Sequence, residues 1–336
     1  MSDPSGNFQP PPQPPLPETT TPAPRPTKLR IVAIPLFVIG LVVCGLGIPK
    51  IIPGGIAGGA ALAFLGIVFF ALSFAPLPVI EGSVDAPMSP IAKLLGIFYE
   101  PSNVFRNLRA HPNWVAAYLF VTILSAIYTV AFTQRLTPER IVNYRVDKVA
   151  EMPAPFTPPP ERIEAMRTEG IEQLKNPIQR VFMVSSTFVA AFCFTAFLAA
   201  LYMLVVLVFG GRMNYWQSLA VMFYAAVPII TIQKLLGLVL LYLKSPDDVH
   251  PILGQETLVQ DNLGVLVSPA NHPVIFVLAS AIGLLSFYSL WLKGTGLRYG
   301  GTRVSSGSAW GVAITLWVLG TLAITALTAL FPQFIS

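Results

Sequence analysis

The residues of this chain that could do chemistry are few and lie far apart in the sequence. The three histidines, His111, His250 and His272, fall in polar connecting segments, and none has a neighbour at metal-ligand spacing. The two cysteines, Cys44 and Cys193, lie inside apolar blocks, where we expect small packing residues rather than a disulfide or a metal site. We therefore predict no catalytic residue, no metal and no cofactor, and a protein that is not an enzyme.

Ionisable groups are equally sparse within the long apolar blocks. These blocks contain no carboxylate, which argues against proton-coupled transport and intramembrane hydrolysis, since both place ionisable groups at depth. Lys234 is the one ionisable residue that we place well inside a block, about 25 Å along a helix counted from Gln217. Its ammonium is expected to reach the headgroups, and a contact of Gln233 and Lys234 with a lipid phosphate or a substrate is the alternative.

Composition predicts the elements that must position these residues. Apolar residues make up 54% of the 336 residues and charged residues 11%, whereas soluble domains carry about 25% charged residues. Continuous apolar blocks of about 18 residues or more predict transmembrane helices rather than a barrel. The blocks are residues 31–49, 54–79, 113–133, 181–209, 217–243, 273–293 and 310–331. The chain is therefore predicted to be an all-α polytopic membrane bundle of seven transmembrane helices, two of them preceding a core of five.

The chain divides into an arm, a hairpin and a core. Residues 1–30 contain ten prolines and few apolar side chains, so we predict a disordered, proline-rich arm. A solvated tail is the simplest interpretation, and a proline-rich ligand for a protein partner is the alternative. Residues 31–79 are predicted to form a two-helix membrane hairpin, and residues 113–331 the five-helix core.

Basic residues in the connections favour a cytoplasmic amino terminus. In that orientation the short outer loops hold only Lys50 and Lys244, and the inner segments hold many more basic residues. The inner set is Arg25, Lys28, Arg30, Lys93, Arg106, Arg109, Arg212, Lys293, Arg298 and Arg303. The net charge of +5 indicates contact with anionic lipid headgroups, and we predict no nucleic-acid partner.

The connection over residues 134–180 is the longest and would lie outside. Thr137 and Pro138 are typical of the cap and first position of a helix, and Pro160 with Glu161 of the start of a second. Alternating charges along both segments predict a solvent-exposed, extramembrane helical hairpin rather than a binding site.

Residues 88–112 combine apolar and basic side chains. Ser89 with Pro90 can begin one short helix, Pro101 interrupts it, and a second follows. The pattern predicts an interfacial amphipathic segment lying against anionic lipid. The candidate headgroup contacts of the whole chain are Lys93, Arg106, Arg109 and Lys234.

Small residues and hydroxyls recur at helical spacing in several blocks. The small residues, typical of close helix packing, are Gly55, Gly59 and Ala63 in the second block and Ala279 and Gly283 in the sixth. The hydroxyl stripes are Tyr118, Thr122, Ser125 and Thr129 in the third block and Thr321, Thr325 and Thr328 in the seventh. Interhelical hydrogen bonds explain such stripes, and the lining of a permeation path is the alternative.

Three segments resemble a known pattern in their order and spacing. They are FYEPSNVFRNLRAHPNW at 98–114, YWQSLAVMFYAAVP at 215–228 and LWLKGTGLRYGGTRVSSGSAW at 290–310. Together they resemble the Yip domain, the five-span core of the Ypt/Rab-interacting membrane proteins, over about two thirds of the chain. The residues that carry the resemblance, with no role assigned, are Pro101, Phe105, Trp114, Pro228, Trp291, Gly296, Leu297 and Ala309.

The resemblance implies a non-enzymatic adaptor. Eukaryotic members are implied to bind Rab-type GTPases through a cytosolic amino-terminal region. This chain lacks their Asp-Leu-x-Gly-Pro motif and has two additional spans, so it is more similar to the bacterial branch, which implies a bacterial cytoplasmic membrane. The leading hypothesis is a scaffold that recruits protein partners or lipids at its cytoplasmic face. The alternative is a transporter or channel for a small solute or lipid along the hydroxyl stripes.

Overall fold

A computed structural model describes residues 26–49, 51, 54–77, 86–152, 157–252 and 254–331. The predicted arm lies outside the described residues up to position 25. In chain order the helices are α1 (Lys28–Gly47), α2 (Gly55–Leu72), α3 (Pro90–Tyr99), α4 (Pro101–Ala110), α5 (Val115–Leu136), α6 (Pro138–Ala150), α7 (Pro160–Lys175), α8 (Pro177–Val208), α9 (Tyr215–Leu243), α10 (Gly254–Thr257), α11 (Pro273–Ser280), α12 (Leu284–Gly300) and α13 (Ser306–Leu330). The described residues form no β-strand, so the all-α prediction is confirmed.

Proline and capping side chains set the starts of these helices. Six helices have proline at their first position, where the missing N–H would be unpaired in any case: α3, α4, α6, α7, α8 and α11. The Asn176 side chain accepts a hydrogen bond from the Ile178 nitrogen (2.9 Å) at the start of α8. A capping box between Asn214 and Gln217 begins α9. The sequence thus marks the helix starts locally.

Among the described residues, six helices are long and apolar enough to cross a membrane, against about seven predicted. They are α1, α2, α5, α8, α9 and α13. The sixth block, residues 273–293, is not one continuous helix, because the chain breaks between α11 and α12. At the break, the Leu263 nitrogen donates to Ile282 O (3.0 Å) and the Leu284 nitrogen to Asp261 O (3.2 Å). These bonds form an antiparallel bridge between Asn262 and Gly283, which replaces helical hydrogen bonds and ends α11.

The long helices define two ends of the bundle. At the end that we call the basic end, α2, α8 and α12 finish and α5, α9 and α13 begin. Hydrogen bonds link the connections there: the Trp216 indole donates to Ala75 O (3.2 Å), and the Gln217 amide donates to Arg109 O (2.8 Å). The opposite end, which we call the hairpin end, carries α6 and α7.

An aromatic cluster holds the helices together near the basic end. Trp114 packs on Phe192 and Phe223 with ring centroids 5.2 and 5.8 Å apart. Phe69 of α2 joins this cluster, 4.9 Å from Phe192 and edge-on to it. The two-helix hairpin of α1 and α2 therefore packs on the core through α2.

Helices α1 and α2 approach each other backbone to backbone. A Cβ atom added at Gly59 would lie 2.3 Å from the Cys44 nitrogen, and one added at Gly40 would lie 2.3 Å from the Ala63 nitrogen. Glycine is therefore required at both positions. Gly283, by contrast, does not lie in a helix–helix seam: a Cβ there would meet the Asn262 Cβ at 2.7 Å, because Gly283 belongs to the bridge that starts α12.

The predicted helices over 134–180 are present as α6 and α7. They pack around a second apolar cluster, which also contains residues of α5, α9 and the loop after α9. Ile141 and Val142 of α6 and Leu174 of α7 are buried with Phe132 of α5 and Val249 of the following loop. Arg140 donates to three main-chain oxygens of that loop, those of Pro246, Asp247 (3.1 Å) and Val249 (3.2 Å). The hairpin is thus attached to the loop after α9.

Candidate functional site

Helices α3 and α4 form a unit at the basic end, with one face buried and one exposed. Lys93 is buried, and its ammonium donates to His111 O at 3.2 Å, where burial lowers the pKa of this lysine. The structure therefore corrects the predicted headgroup contact of Lys93, because the side chain points between helices. The Asn107 amide donates to Ala86 O (3.0 Å) and thereby fixes the segment before α3.

Helix α4 is held in a groove between α9 and α12. Phe105 is fully buried, and a Cβ added at Gly296 would lie 3.1 Å from its ring and 2.5 Å from Val221 Cγ1. A side chain at position 296 would therefore push α4 away from α12. Leu297 is also fully buried in the same core.

Most residues that carry the family resemblance meet in this core. Seven of the eight are buried: Pro101, Phe105, Trp114, Pro228, Gly296, Leu297 and Ala309. Trp291 is the exception, since it is 41% exposed and stacks on Tyr288 with ring centroids 5.8 Å apart. These positions thus build the packing that holds α4, and a binding role for them stays untested.

The exposed face of the α3–α4 unit is apolar and basic. Ile91, Leu95, Phe98 and Tyr99 are exposed on α3, and Arg106 is exposed on α4. Arg106 and Arg298 both lie over the ring of Tyr299, with 5.6 and 5.2 Å between guanidinium carbon and ring centroid.

The arginines at the basic end lack acidic partners among the described residues. Within that part of the chain, no carboxylate lies within 4.0 Å of Arg106, Arg212, Arg298 or Arg303, since every such ion pair involves α6, α7 or the ends next to them. Within the described part of the chain, these four arginines thus carry charges that no ion pair offsets.

Lys234 is directed toward the hairpin end, as its position along α9 predicts. Its ammonium donates to Gln255 O (3.3 Å) and lies 4.7 Å from the ring centroid of Tyr128. These contacts tie Lys234 to the loop after α9, and a headgroup contact from it stays a prediction.

The two hydroxyl stripes are largely satisfied within the protein. On α13, Thr321, Thr325 and Thr328 each donate to the carbonyl four residues earlier in the same helix, at 2.8–2.9 Å. On α5, the Tyr118 hydroxyl donates to Phe188 O of α8 (3.1 Å), whereas Thr122 donates to Tyr118 O (2.7 Å). Thr129 accepts a hydrogen bond from Gln255 Nε2 of α10 (2.9 Å). The expected interhelical bonds are therefore found for Tyr118 and Thr129 but not for the α13 threonines.

A polar cavity of about 310 Å³ lies beside the break between α11 and α12. Its polar lining comes from α9, the loop before α11, the end of α11 and one face of α12. The polar side chains are Gln233, Asp261, Asn262, Ser280, Ser286, Ser289 and Lys293. Lys293, which the topology prediction places in an inner segment, thus lines a cavity within the helical bundle.

The sequence contains a signal for this cavity that the pattern of apolar blocks hides. Ser286, Ser289 and Lys293 recur at i, i+3 and i+7 and share one face of α12. This stripe is hard to recognise because the apolar run of residues 273–285 precedes it, and the whole block of residues 273–293 is predicted to be one transmembrane helix. The contribution of Asp261 depends on the bridge at Gly283, which local sequence does not specify.

The histidines and cysteines stay apart in the structure. The Tyr144 hydroxyl of α6 hydrogen-bonds His250 Nε2 at 2.9 Å, and both cysteines are free. Among the described residues, no three His, Cys, Asp or Glu side chains are grouped as a metal ion would require.

Comparison with known proteins identifies the family. No curated protein and no solved structure matches the chain. The family model described as Yip1 domain matches residues 95–327, from α3 to α13 and including the α4 groove and the polar cavity. Since this match covers more than half of the chain, the resemblance is confirmed, and this multi-pass membrane protein belongs to the Yip1-domain family.

Proposed function

We propose that this protein is a non-enzymatic membrane scaffold that recruits lipids and a protein partner at its basic end. The observation that carries the proposal is the α3–α4 unit. One face of the unit is locked into the core through Phe105, and the other presents exposed apolar side chains beside Arg106. Such a surface, rigid and amphipathic, suits an interface with anionic lipid or a membrane-bound partner.

The amino-terminal arm would also lie at the basic end. Arg30, near the start of α1, donates to the Ser73 hydroxyl (3.1 Å) at the end of α2, so α1 begins at the basic end. A partner held by residues 1–30 would therefore lie beside the α3–α4 unit. We assign this end to the cytoplasm because the short connections at the opposite end hold only Lys50 and Lys244, and we propose a bacterial cytoplasmic membrane as the location.

The alternative, a permeation path along the hydroxyl stripes, has less support. Hydroxyls that line a path need free hydrogen-bonding capacity, but the α13 threonines bond to their own helix. We expect Thr122→Ala, Ser125→Ala and Thr129→Ala to change stability without changing solute flux. A change in flux measured in proteoliposomes would favour transport instead.

Cross-linking in cells tests the scaffold. The tagged chain, with and without residues 1–30, is cross-linked and its captured proteins and lipids are identified. We expect a specific protein to be lost when the arm is deleted. An unchanged set of captured proteins would overturn recruitment by the arm.

Lipid recruitment has a separate test. The double variant Arg106→Gln/Arg298→Gln is expected to retain less anionic lipid on purification, measured by mass spectrometry. Arg162→Gln, in an exposed ion pair of α7 at the other end, serves as the control and should retain the wild-type amount. Equal lipid in all three proteins would contradict the proposed lipid surface.

A further inference from the structure

The polar cavity beside the α11–α12 break contains donors that the protein does not use. Neither the Ser286 nor the Ser289 hydroxyl bonds to another described residue, and the Ser280 Oγ is buried without a hydrogen-bond partner in that part of the chain. Buried polar groups are normally paired, so unpaired groups around a cavity indicate a bound molecule or water. With about 310 Å³, the cavity is at the small end of the range for ligand sites, which begins near 300 Å³.

The two charged groups that line the cavity have different surroundings. Asp261 Oδ2 accepts a hydrogen bond from the Leu285 nitrogen (2.6 Å), so the start of α12 partly compensates its negative charge. Lys293 forms no ion pair or hydrogen bond with any described residue. Its side chain is half-buried, lines the cavity, and starts about 10 Å along α12 from the helix end at Gly300.

The unused donors lie on one face. Ser286, Ser289 and Lys293 share a face of α12, and all three line the cavity. Two hydroxyls and an ammonium offer several hydrogen bonds to an anion with several acceptor oxygens. Ile229, Leu290 and Trp317 supply apolar wall beside them, which suits the organic part of a ligand.

From this arrangement we infer that the cavity is a binding site for a phosphate ester, with Lys293 as the charge partner and Ser286 and Ser289 as hydrogen-bond donors. The phosphate belongs either to a lipid headgroup or to a small soluble ester. The site is distinct from the α3–α4 surface, and it shares no residue with the scaffold proposal.

The full chain, purified in a maltoside detergent that contains no phosphate, allows both sources to be tested. Glycerol 3-phosphate is titrated by calorimetry for the soluble source. Phosphatidylglycerol is added and its binding measured by native mass spectrometry for the lipid source, with diacylglycerol as the phosphate-free control. We expect saturable binding in one of the two arms, and the arm that binds identifies the source.

Substitutions of cavity residues test whether the phosphate ester binds in the cavity. Lys293→Met is expected to weaken binding tenfold or more, about the loss of one charge-assisted hydrogen bond. Lys293→Arg should retain most of it, and Lys244→Met, an exposed lysine at the hairpin end, should match the wild type. The double variant Ser286→Ala/Ser289→Ala should also weaken binding of the phosphate ester. It tests the cavity independently if Lys293→Met does not fold.

Three results would overturn the inference. The first is no saturable binding of either phosphate ester. The second is diacylglycerol binding as tight as that of phosphatidylglycerol. The third is wild-type affinity in a folded Lys293→Met or serine variant. Phosphatidylglycerol that binds at the basic end is distinguished from phosphatidylglycerol in the cavity, because its binding would depend on Arg106 and Arg298 and not on Lys293.

Discussion

At the scale of single residues, neighbours decide what each basic side chain does. Lys93 and Arg106 lie on consecutive short helices, and the amphipathic sequence of residues 88–112 predicts both at the membrane surface. Lys93 is 1% exposed and donates to His111 O, whereas Arg106 stays exposed over Tyr299. Sequence spacing identifies the segment as amphipathic, but the burial of Lys93 depends on the packing of α3 against α4, α5 and α9, which spacing does not give.

His250 should make the attachment of the hairpin depend on pH. Burial, with Lys148 and Arg140 nearby, lowers the pKa of His250 below 6.5. The packed form therefore binds fewer protons than the detached form, so the contact with Tyr144 is fully stable above pH 6.5 and weakens as the pH falls below it. Hydrogen exchange of residues 138–150, corrected for intrinsic rates, should show protection falling between pH 7.5 and 5.

Two histidine variants control this experiment. His250→Gln should remove the dependence on pH in this range, and His272→Gln should leave it as in the wild type. A wild-type profile that is flat between pH 7.5 and 5 would contradict the role assigned to His250.

At the scale of elements, close backbone contacts hold α1 on α2. Gly59→Ala would place a Cβ 2.3 Å from a backbone nitrogen of α1, so the two helices must separate. We expect a loss of about 1–3 kcal/mol, typical of overpacking, seen as a lower melting temperature in detergent. Gly45→Ala is the matched control, since a Cβ there meets nothing within 4 Å. A melting temperature of Gly59→Ala as high as that of Gly45→Ala would contradict the role of this contact, since alanine favours the helix over glycine at both positions.

Arg140 connects the α6–α7 hairpin to the loop after α9. One guanidinium serves three main-chain oxygens, a geometry that Lys cannot reproduce. Arg140→Lys and Arg140→Gln should both increase hydrogen exchange in residues 245–250, whereas Arg162→Gln should not. Unchanged exchange in the Arg140 variants would mean that the apolar cluster of Ile141, Val142 and Val249 suffices to hold the loop.

At the scale of the whole molecule, Phe69 connects α1 and α2 to the Yip1 domain. Phe69→Ala should leave a cavity against Phe192 and Trp114 and cost about 1–3 kcal/mol, below the soluble-core value because lipid solvates the exposed surface. Phe64→Ala, on the same helix but 53% exposed, should cost little. Thermal unfolding of the full chain distinguishes the two. Equal melting temperatures for both variants would show that α2 does not stabilise the core through Phe69.

Much of the architecture follows from the sequence alone. Long apolar runs predicted the six long helices, and proline near the helix start predicted the starts of α3, α6 and α7, because both signals act within a few residues. The break at Gly283 was not predictable in this way, since it depends on a bridge to Asn262, 21 positions away. The polar cavity was missed for the same reason, because Asp261 and Lys293 come together only once α12 starts at the bridge.

The length of α8 has a consequence for the bilayer. Its 32 residues extend about 48 Å, whereas the hydrocarbon core is about 30 Å thick. Even a tilt of about 40° would use about 39 Å, so more than one turn, about 9 Å, projects beyond the lipid. Because α7 leads directly into α8, the projecting turns hold the α6–α7 hairpin above the surface like a stalk. A thicker membrane would cover more of the stalk and draw the hairpin down, so the height of the hairpin reports membrane thickness.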